Sequence, residues 1–306
     1  MIDASADLGY GGALPQTSGA SLIYSIRRAR RLFASATLVG AALAAAAAPA
    51  FAMSPSAERT ATPARSTAPA DGTTAAKPAA PAKTRGYDIS YPQCGKAYPS
   101  NPAFAIVGSD GGRVFSGNPC LADQLRWGGD DAAEVYINTG NPGPALSSFW
   151  PKGQTTPRVC DANNADTADC AYDYGWNAAK DSYQRVEAAY AARGIGANPN
   201  GTAWWLDVET SNSWRTVTSL NVAALQGEVD YLRSRGVTKV GFYSTTVQWG
   251  TITGGTKVFA PMPSWGAGAP SEKAAKQHCI STPGFTGGRL AMVQYLFNGF
   301  DANVRC

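Results

Sequence analysis

The stretch Ala203-Trp204-Trp205-Leu206-Asp207-Val208-Glu209 decides the fold. Its apolar run is typical of a strand that is buried on both faces of a parallel sheet. Side chains alternate along a strand, so Asp207 and Glu209 point the same way, roughly 6 to 7 Å apart at about 3.3 Å per residue. This separation suits acid–base work on a glycosidic bond. Taken alone, the pair also fits a turn that Asp207 caps while Glu209 is solvated.

Further strands and helices are predicted on both sides of this stretch. The other strands are residues 86–90, 103–107, 134–138, 239–244, 262–265, 290–295 and 299–304. The helices are residues 120–127, residues 174–193, and one that Asn221 caps and that runs to Arg235. Strands that alternate with helices predict a mainly parallel sheet, and eight of them predict a closed (β/α)8 barrel of the α/β class. Because the later helices are short or absent, we expect the barrel to be irregular.

Polar and aromatic residues follow several of these strands. In such barrels the carboxyl ends of the strands converge on one mouth, where chemistry is done. The acids that we expect there as catalytic candidates are Asp88, Asp207, Glu209 and Asp301. The substrate-binding candidates are Tyr243, Trp265, Gln294 and Tyr295. Acids gathered at one mouth raise one another's pKa, as a general acid working near neutral pH requires.

The first 85 residues are predicted to direct export and to form a tether. Residues 1–52 are interpreted as an extension and a signal peptide, because Arg27–Arg31 precede an alanine-rich apolar stretch that ends at a cleavage-like Ala52. Residues 53–85, rich in Ala, Pro and Thr, are predicted to be a disordered linker. Residues 86–306 then form a single barrel domain. We expect a secreted, extracellular protein with no stable membrane insertion after signal cleavage.

Two export routes remain open. Arg30-Arg31-Leu32-Phe33 resembles a twin-arginine signal, whose cargo crosses the membrane folded. Cysteines that are destined for disulfides would then have to stay reduced during folding in the cytosol, so export of an unfolded chain remains open as the alternative.

Six cysteines occur in the predicted domain, an even number in an exported chain, and they predict three disulfides. Fifteen connectivities are possible, of which the placement of the loops favours Cys94–Cys120, Cys160–Cys170 and Cys279–Cys306. The spacings match no zinc pattern. The only histidine, His278, is expected in a surface loop, so the sequence predicts no metal site, no cofactor and no histidine-dependent relay.

Charge argues against a nucleic-acid partner. Residues 86–306 contain 17 Lys and Arg against 18 Asp and Glu, so the positive charge of the whole chain lies in the leader and linker. Without a basic surface we expect no nucleic-acid binding. We expect a monomer.

The order of the motifs resembles the family 25 glycoside hydrolases, lysozymes that cut bacterial peptidoglycan, and a looser group of related bacterial barrels. The motifs that carry the resemblance are Tyr87-Asp88-Ile89-Ser90, Leu206-Asp207-Val208-Glu209, Phe242-Tyr243-Ser244, Trp265, Gln294-Tyr295 and Phe300-Asp301. It covers essentially all of residues 86–306. Two features depart from the family pattern: an insertion around residues 160–170, and a sixth strand poor in side chains.

The resemblance implies cell-wall glycan as the binding partner and a role for each candidate. Glu209 would be the general acid, while Asp207 would orient and charge-balance the 2-acetamido group whose carbonyl attacks the anomeric carbon. Asp88 and Asp301 would complete an acidic floor, and the aromatic candidates would contact sugars. Two alternatives stay open: a non-catalytic barrel that grips cell-wall glycan, and a chitinase-like enzyme, which also ends a strand in D-x-E but carries further acids upstream.

Overall fold

The computed structural model describes residues 85–196 and 198–306. The predicted leader (residues 1–52) and nearly all of the predicted linker (residues 53–85) lie outside the described residues. The strands are β1 (Arg85–Ile89), β2 (Ala105–Gly108), β3 (Glu134–Asn138), β4 (Trp204–Asp207), β5 (Val240–Ser244), β6 (Ser264–Ala269), β7 (Leu290–Phe297) and β8 (Phe300–Arg305). The α-helices are α1 (Leu121–Trp127), α2 (Ala168–Ala192), α3 (Thr218–Ser234), α4 (Thr246–Thr253) and α5 (Glu272–Ser281).

The eight strands close into one barrel in sequence order. Strands β1 to β7 pair in parallel, whereas β8 is antiparallel to both of its neighbours, β7 and β1. The predicted irregular α/β barrel is therefore confirmed. Its irregularity has a specific cause: β7 and β8 form a hairpin through Asn298 and Gly299, with no helix between them.

Aromatic side chains fill the interior of the barrel. Trp205 and Trp265 are 3% and 2% exposed, and their rings meet edge to face 5.8 Å apart. Tyr243 packs on Trp265 from above, with ring centroids 4.5 Å apart. Because interiors of this kind are close-packed, these rings leave only a shallow space at the mouth.

Helices α2 and α3 pack closely against each other outside the sheet. A Cβ atom on Gly175 would lie 1.9 Å from the carbonyl oxygen of Ala224, and one on Gly227 would lie 2.0 Å from that of Tyr172. Only glycine permits this approach of two backbones. The contact buries the apolar faces of both helices around Leu225.

Two predicted helix starts are wrong. Helix α2 begins at Ala168, six residues before the predicted Tyr174, because Thr167 Oγ1 accepts a hydrogen bond from the backbone N–H of Cys170 and caps it. Helix α3 begins at Thr218, so Asn221 lies inside it and not at its cap. The Asn221 side chain is fully buried and bonds to loop atoms, including the carbonyl oxygen of Arg215 at 2.8 Å.

All three predicted disulfides are present: Cys94–Cys120, Cys160–Cys170 and Cys279–Cys306. His278 lies in α5 and not in the surface loop that the sequence predicted, because Ser271 caps a helix that continues through it. Within the part of the chain that the structure describes, no helix has the length and apolar character needed to cross a membrane.

Candidate active site

A small pocket opens at the mouth of the barrel. Its volume is about 140 Å³. The side chains that line it are Asp88, Tyr136, Asp207, Glu209, Tyr243, Trp265, Gln294 and Asp301. Seven of the eight residues that the sequence nominated as catalytic or substrate-binding therefore meet here, although they come from six different strands or strand ends.

Asp88 is held by two side-chain amides. Gln294 Nε2 donates to both carboxylate oxygens at 3.1 and 3.2 Å, and Asn303 Nδ2 donates to Oδ2 at 2.6 Å. Burial raises the pKa of Asp88 to about 8, with the neighbouring charge of Asp301 adding to the rise and the two amides opposing it. Asp88 therefore holds its proton at neutral pH.

Aromatic groups fix the orientation of those two amides. Tyr243 donates its O–H to Gln294 Oε1 at 2.8 Å, and the indole N–H of Trp265 donates to Asn303 Oδ1 at 2.8 Å. With its oxygen occupied in this way, each amide presents its nitrogen to Asp88. Tyr243 and Trp265 thus support the pocket through hydrogen bonds as well as lining it.

Asp207 is the last residue of β4 and is 5% exposed. Asn138 at the end of β3 donates to Oδ2, whereas Oδ1 has no hydrogen-bond partner in the described residues. Burial raises the pKa of Asp207 well above its usual value, and the charges of Glu209, Asp110 and Asp88 raise it further. A buried carboxylate oxygen without a donor is costly, and such groups are found where a ligand supplies the missing contact.

Glu209 lies two residues beyond Asp207 and is half-buried. Its backbone carbonyl accepts a hydrogen bond from the indole N–H of Trp214 at 2.8 Å, which fixes the loop. Burial raises the pKa of the Glu209 carboxyl, a hydrogen bond from Gln248 opposes the rise, and the charge of Asp301 adds to it. Glu209 is thus a carboxylic acid with access to solvent and an elevated pKa, as a general acid requires.

Asp301 reaches the mouth for a reason other than the predicted one. It is the second residue of β8, not a residue at a carboxyl end, and it reaches the mouth because β8 runs antiparallel. In the register of β1 and β8 it stands directly opposite Asp88. Two like charges in that position repel each other, and burial also raises the pKa of Asp301.

Tyr295 does not line the pocket, and its predicted contact with substrate does not fit its position. It follows Gln294 on β7, so the two side chains point to opposite faces of the sheet. Tyr295 lies under α5, where its hydroxyl accepts from Arg85 Nε at 2.6 Å and donates to Glu272 Oε2 at 3.1 Å. Its contacts are structural.

Three residues of the site were missed from the sequence. Tyr136 lines the pocket from β3, Asn138 holds Asp207, and Asn303 holds Asp88. The sequence did contain a pattern for the first two. Tyr136 and Asn138 are two residues apart at the end of β3, so they share a face of the strand next to β4. Asn303 was missed because the sequence did not show that its strand runs antiparallel to the others.

The four acids of the pocket have no cationic partner: none of Asp88, Asp207, Glu209 and Asp301 forms an ion pair with another described residue. Nor do residues 85–196 and 198–306 contain a group of three or more His, Cys, Asp or Glu side chains placed to hold a metal ion. The side chains that line the pocket carry carboxyl, amide, phenol and indole groups.

A family model described as Lysozyme-like protein 1 matches residues 158–276. The matched segment contains Asp207, Glu209, Tyr243 and Trp265. It supports the predicted resemblance of this chain to the lysozymes, and with it the assignment as a glycoside hydrolase. A comparison with curated proteins finds no match.

Solved structures with a similar chain trace include several lysozymes. A muramidase from Trichobolus zukalii is 18% identical, with 73% of this chain and 93% of that chain covered and a TM-score of 0.44. A bacterial lysozyme from Streptomyces coelicolor is 16% identical, with 74% and 93% covered and a TM-score of 0.43. The modular autolysin LytC from Streptococcus pneumoniae, solved with a synthetic peptidoglycan ligand, is 13% identical, with 72% and 46% covered and a TM-score of 0.45.

Proposed function

We propose that this protein is a secreted muramidase-like enzyme that cleaves peptidoglycan-type glycan at the pocket in the mouth of the barrel. The observation that carries the proposal is the pairing of two different acids at the end of β4. Asp207 is buried with one oxygen lacking a donor, and Glu209 is half-buried with a raised pKa. Two carboxyl groups whose surroundings differ in this way divide the roles of acid and stabiliser.

Glu209 acts first as the general acid. Its raised pKa keeps the carboxyl protonated toward neutral pH, and its proton passes to the glycosidic oxygen as the bond to the anomeric carbon breaks. The carbonyl oxygen of the substrate's own 2-acetamido group bonds to the anomeric carbon from the other side. This bond closes a five-membered ring. Water then attacks the anomeric carbon, the bond to the acetamido oxygen breaks, and the water gives a proton to Glu209.

Asp207 assists the acetamido group. The N–H of that group supplies the donor that Asp207 Oδ1 lacks, which orients the carbonyl oxygen for attack. A donor at this oxygen also favours the ionised form of Asp207 and so opposes the rise in its pKa that burial causes in the free protein. Positive charge develops on the five-membered ring that the acetamido group forms. The poorly solvated Asp207 carboxylate interacts more strongly with this charged ring than with the neutral substrate. Asp88, held by Gln294 and Asn303, and Asp301 form the acidic floor beside it.

Release of sugar ends from cell walls tests the proposal. The full-length protein, incubated with purified bacterial walls, should release new reducing ends, with fragments identified by mass spectrometry. Glu209→Gln should lower the rate by about 10²- to 10⁴-fold, the usual contribution of general acid catalysis. The matched control is Glu187→Gln, which removes an exposed glutamate on α2 and should leave the rate unchanged.

The same experiment separates the alternative function. Walls that retain the protein without losing glycan, equally for the parent and Glu209→Gln, would indicate a non-catalytic glycan-binding barrel. The absence of both binding and cleavage would contradict both functions.

We also propose export through the twin-arginine route. Three disulfides support a location in an oxidising compartment, and the Arg30-Arg31 pair supports this route. Replacing both arginines with lysine should trap the protein inside the cell. Undiminished export of that variant would favour export of the unfolded chain.

A further inference from the structure

A second and larger cavity lies at the same end of the barrel. This groove has a volume of about 710 Å³ and runs between the loops that follow β2, β3 and β4. Pockets for small molecules generally enclose about 300 to 1,000 Å³. The acid pocket, at about 140 Å³, is below that range, whereas the groove lies within it.

A stacked aromatic pair, one ring of which is exposed, forms one side of the groove. Phe149 is 54% exposed and stacks on Phe115, with ring centroids 4.5 Å apart and planes 13° apart. Phe115 also meets Tyr174 edge to face at 5.3 Å, and its backbone has φ 58°, a strained conformation for an aromatic residue. Leu146 beside them is 79% exposed. An apolar surface left open at a cavity is typical of a binding site.

The long loop that carries Phe149 is held in place. Residues 139–167 connect β3 to α2, a length usually reserved for functional loops. Trp150 stacks on Tyr174 at 5.0 Å and donates its indole N–H to the carbonyl oxygen of Ala165 at 2.7 Å. Two hydrogen bonds of 2.5 and 2.7 Å from Arg215 to Asp166 tie the loop to the one after β4. A groove fixed in this way binds with little loss of conformational entropy.

The groove lies beside the acid pocket, because both are lined by residues of the loop after β4. Ser211, Asn212 and Ser213 line it and follow Glu209 along the same loop. Thr139, also in its lining, donates from Oγ1 to the carbonyl oxygen of Asp207 at 2.6 Å. A polymer that occupies the acid pocket can therefore continue into the groove.

The charge in the groove has one sign. Arg113 is the only charged residue in its lining, is exposed, and forms no ion pair with a described residue. It thus complements a ligand that bears carboxylate groups.

We propose that the groove binds a stretch of carboxylate-bearing glycan chain beyond the sugars at the acid pocket, with the apolar face of a sugar ring packed on Phe149 and Arg113 paired with a carboxylate. This proposal rests on the proposed function, since it names how the same substrate is held. On this proposal most of the binding energy comes from sugars that are not cleaved. Only chains long enough to reach the groove gain that energy.

Comparison of long and short substrates tests the groove. Phe149→Ala, measured on soluble uncrosslinked peptidoglycan strands, should raise KM about tenfold and leave kcat at saturation nearly unchanged, because an interaction made equally in the ground and transition states is lost. On a tetrasaccharide fragment the same variant should behave as the parent does. The matched control is Val159→Ala, in the same loop and 65% exposed but outside the lining of the groove.

Arg113→Gln tests the charge. The dissociation constant for the strands should rise and should depend less on salt than that of the parent, since a screened ion pair has been removed. An unchanged KM for Phe149→Ala on long strands would overturn the proposal, as would an equal loss on strands and fragments.

A binding arm keeps this test separate from catalysis. Sedimentation with strands at equilibrium should show about tenfold weaker retention of Phe149→Ala whether or not the protein cleaves them. If the parent cleaves nothing, the proposed function fails, and the retention of Phe149→Ala still decides for or against the groove.

Discussion

The two ends of the barrel hold acidic side chains in opposite ways. At the amino ends of the strands, Glu134 accepts hydrogen bonds from the indole N–H of Trp205 at 2.8 Å and from Arg305 at 2.6 Å, so its charge is paired. At the mouth, Asp88 and Asp207 receive only neutral amides, and both have raised pKa values. Burial of an acid without a charged partner costs free energy. The difference indicates that the mouth is arranged for chemistry and the other end for structure.

The largest expected difference between the two ends is in activity. Asp207→Asn should lower kcat by about 10²- to 10³-fold, because it removes the charge that stabilises the transition state. Its stability should be equal to the parent's or higher, since Asn138 can still donate to the remaining oxygen and a desolvated carboxylate is gone. Steady-state kinetics on wall glycan and thermal unfolding measure both. A variant with full activity would remove Asp207 from the mechanism.

The stability of the mouth should depend on pH. The pKa of Asp88 is raised to about 8, so between its normal value of 3.8 and about 8 the folded protein holds a proton that the unfolded chain has lost. The free energy of unfolding should therefore fall as pH rises through this window. Asp110, with a pKa raised by burial to about 7, acts in the same direction. We expect Tm to drop by roughly 10 °C between pH 5 and pH 8, because one proton held over this range corresponds to about 4 kcal/mol in a domain of this size.

One variant at each end of the barrel tests the cause of this pH dependence of Tm. Asp88→Asn should flatten the dependence of Tm on pH, and Glu134→Gln should leave its slope unchanged. A parent protein whose Tm rises between pH 5 and pH 8 would contradict the placement of a neutral acid at Asp88.

At the other end, Glu134→Gln should cost stability and not activity. It weakens the hydrogen bonds from Trp205 and Arg305, and because the Arg305 side chain is 43% exposed, the loss should be only about 1 kcal/mol. Chemical denaturation measures it, alongside kcat on the same glycan. A large fall in kcat with no loss of stability would mean that the two ends are not separate in function.

The smallest expected effect is a change in the pH profile. Asp301→Asn removes a charge that raises the pKa of Glu209, so the pKa of Glu209 should fall. Since Glu209 acts when protonated, the alkaline limb of the profile of kcat/KM should move to lower pH. The rate at the optimum should change little by comparison with Asp207→Asn. A shift to higher pH would show that Asp301 does not act on Glu209 through its charge.

Local sequence patterns were sufficient to predict much of this molecule. Alternation along β4 predicted that Asp207 and Glu209 share a face, and both line the pocket. The three disulfides were predicted from loop placement, and the order of strands from short apolar runs. These features depend on neighbours in sequence, which is why they can be seen there.

Features that depend on direction or on distant contacts were not predictable. Nothing local in Phe300-Asp301 shows that β8 runs antiparallel, so Asp301 was placed at the mouth for the wrong reason. Asn221 has the residue type of a cap, and only its contacts with Arg215 and the loop after β3 explain its place inside α3. Tyr295 is different, because alternation with Gln294 already implied the opposite face.

The pKa of Asp88 is the most direct test of the contrast between the two ends. Carbon-13 NMR of the aspartate carboxyl groups, recorded from pH 3 to pH 9 and assigned with Asp88→Asn, follows that group alone. We expect it to titrate near pH 8, as burial beside Asp301 requires. Titration of Asp88 near its ordinary value of 3.8 would contradict the claim that the mouth holds desolvated, unpaired acids.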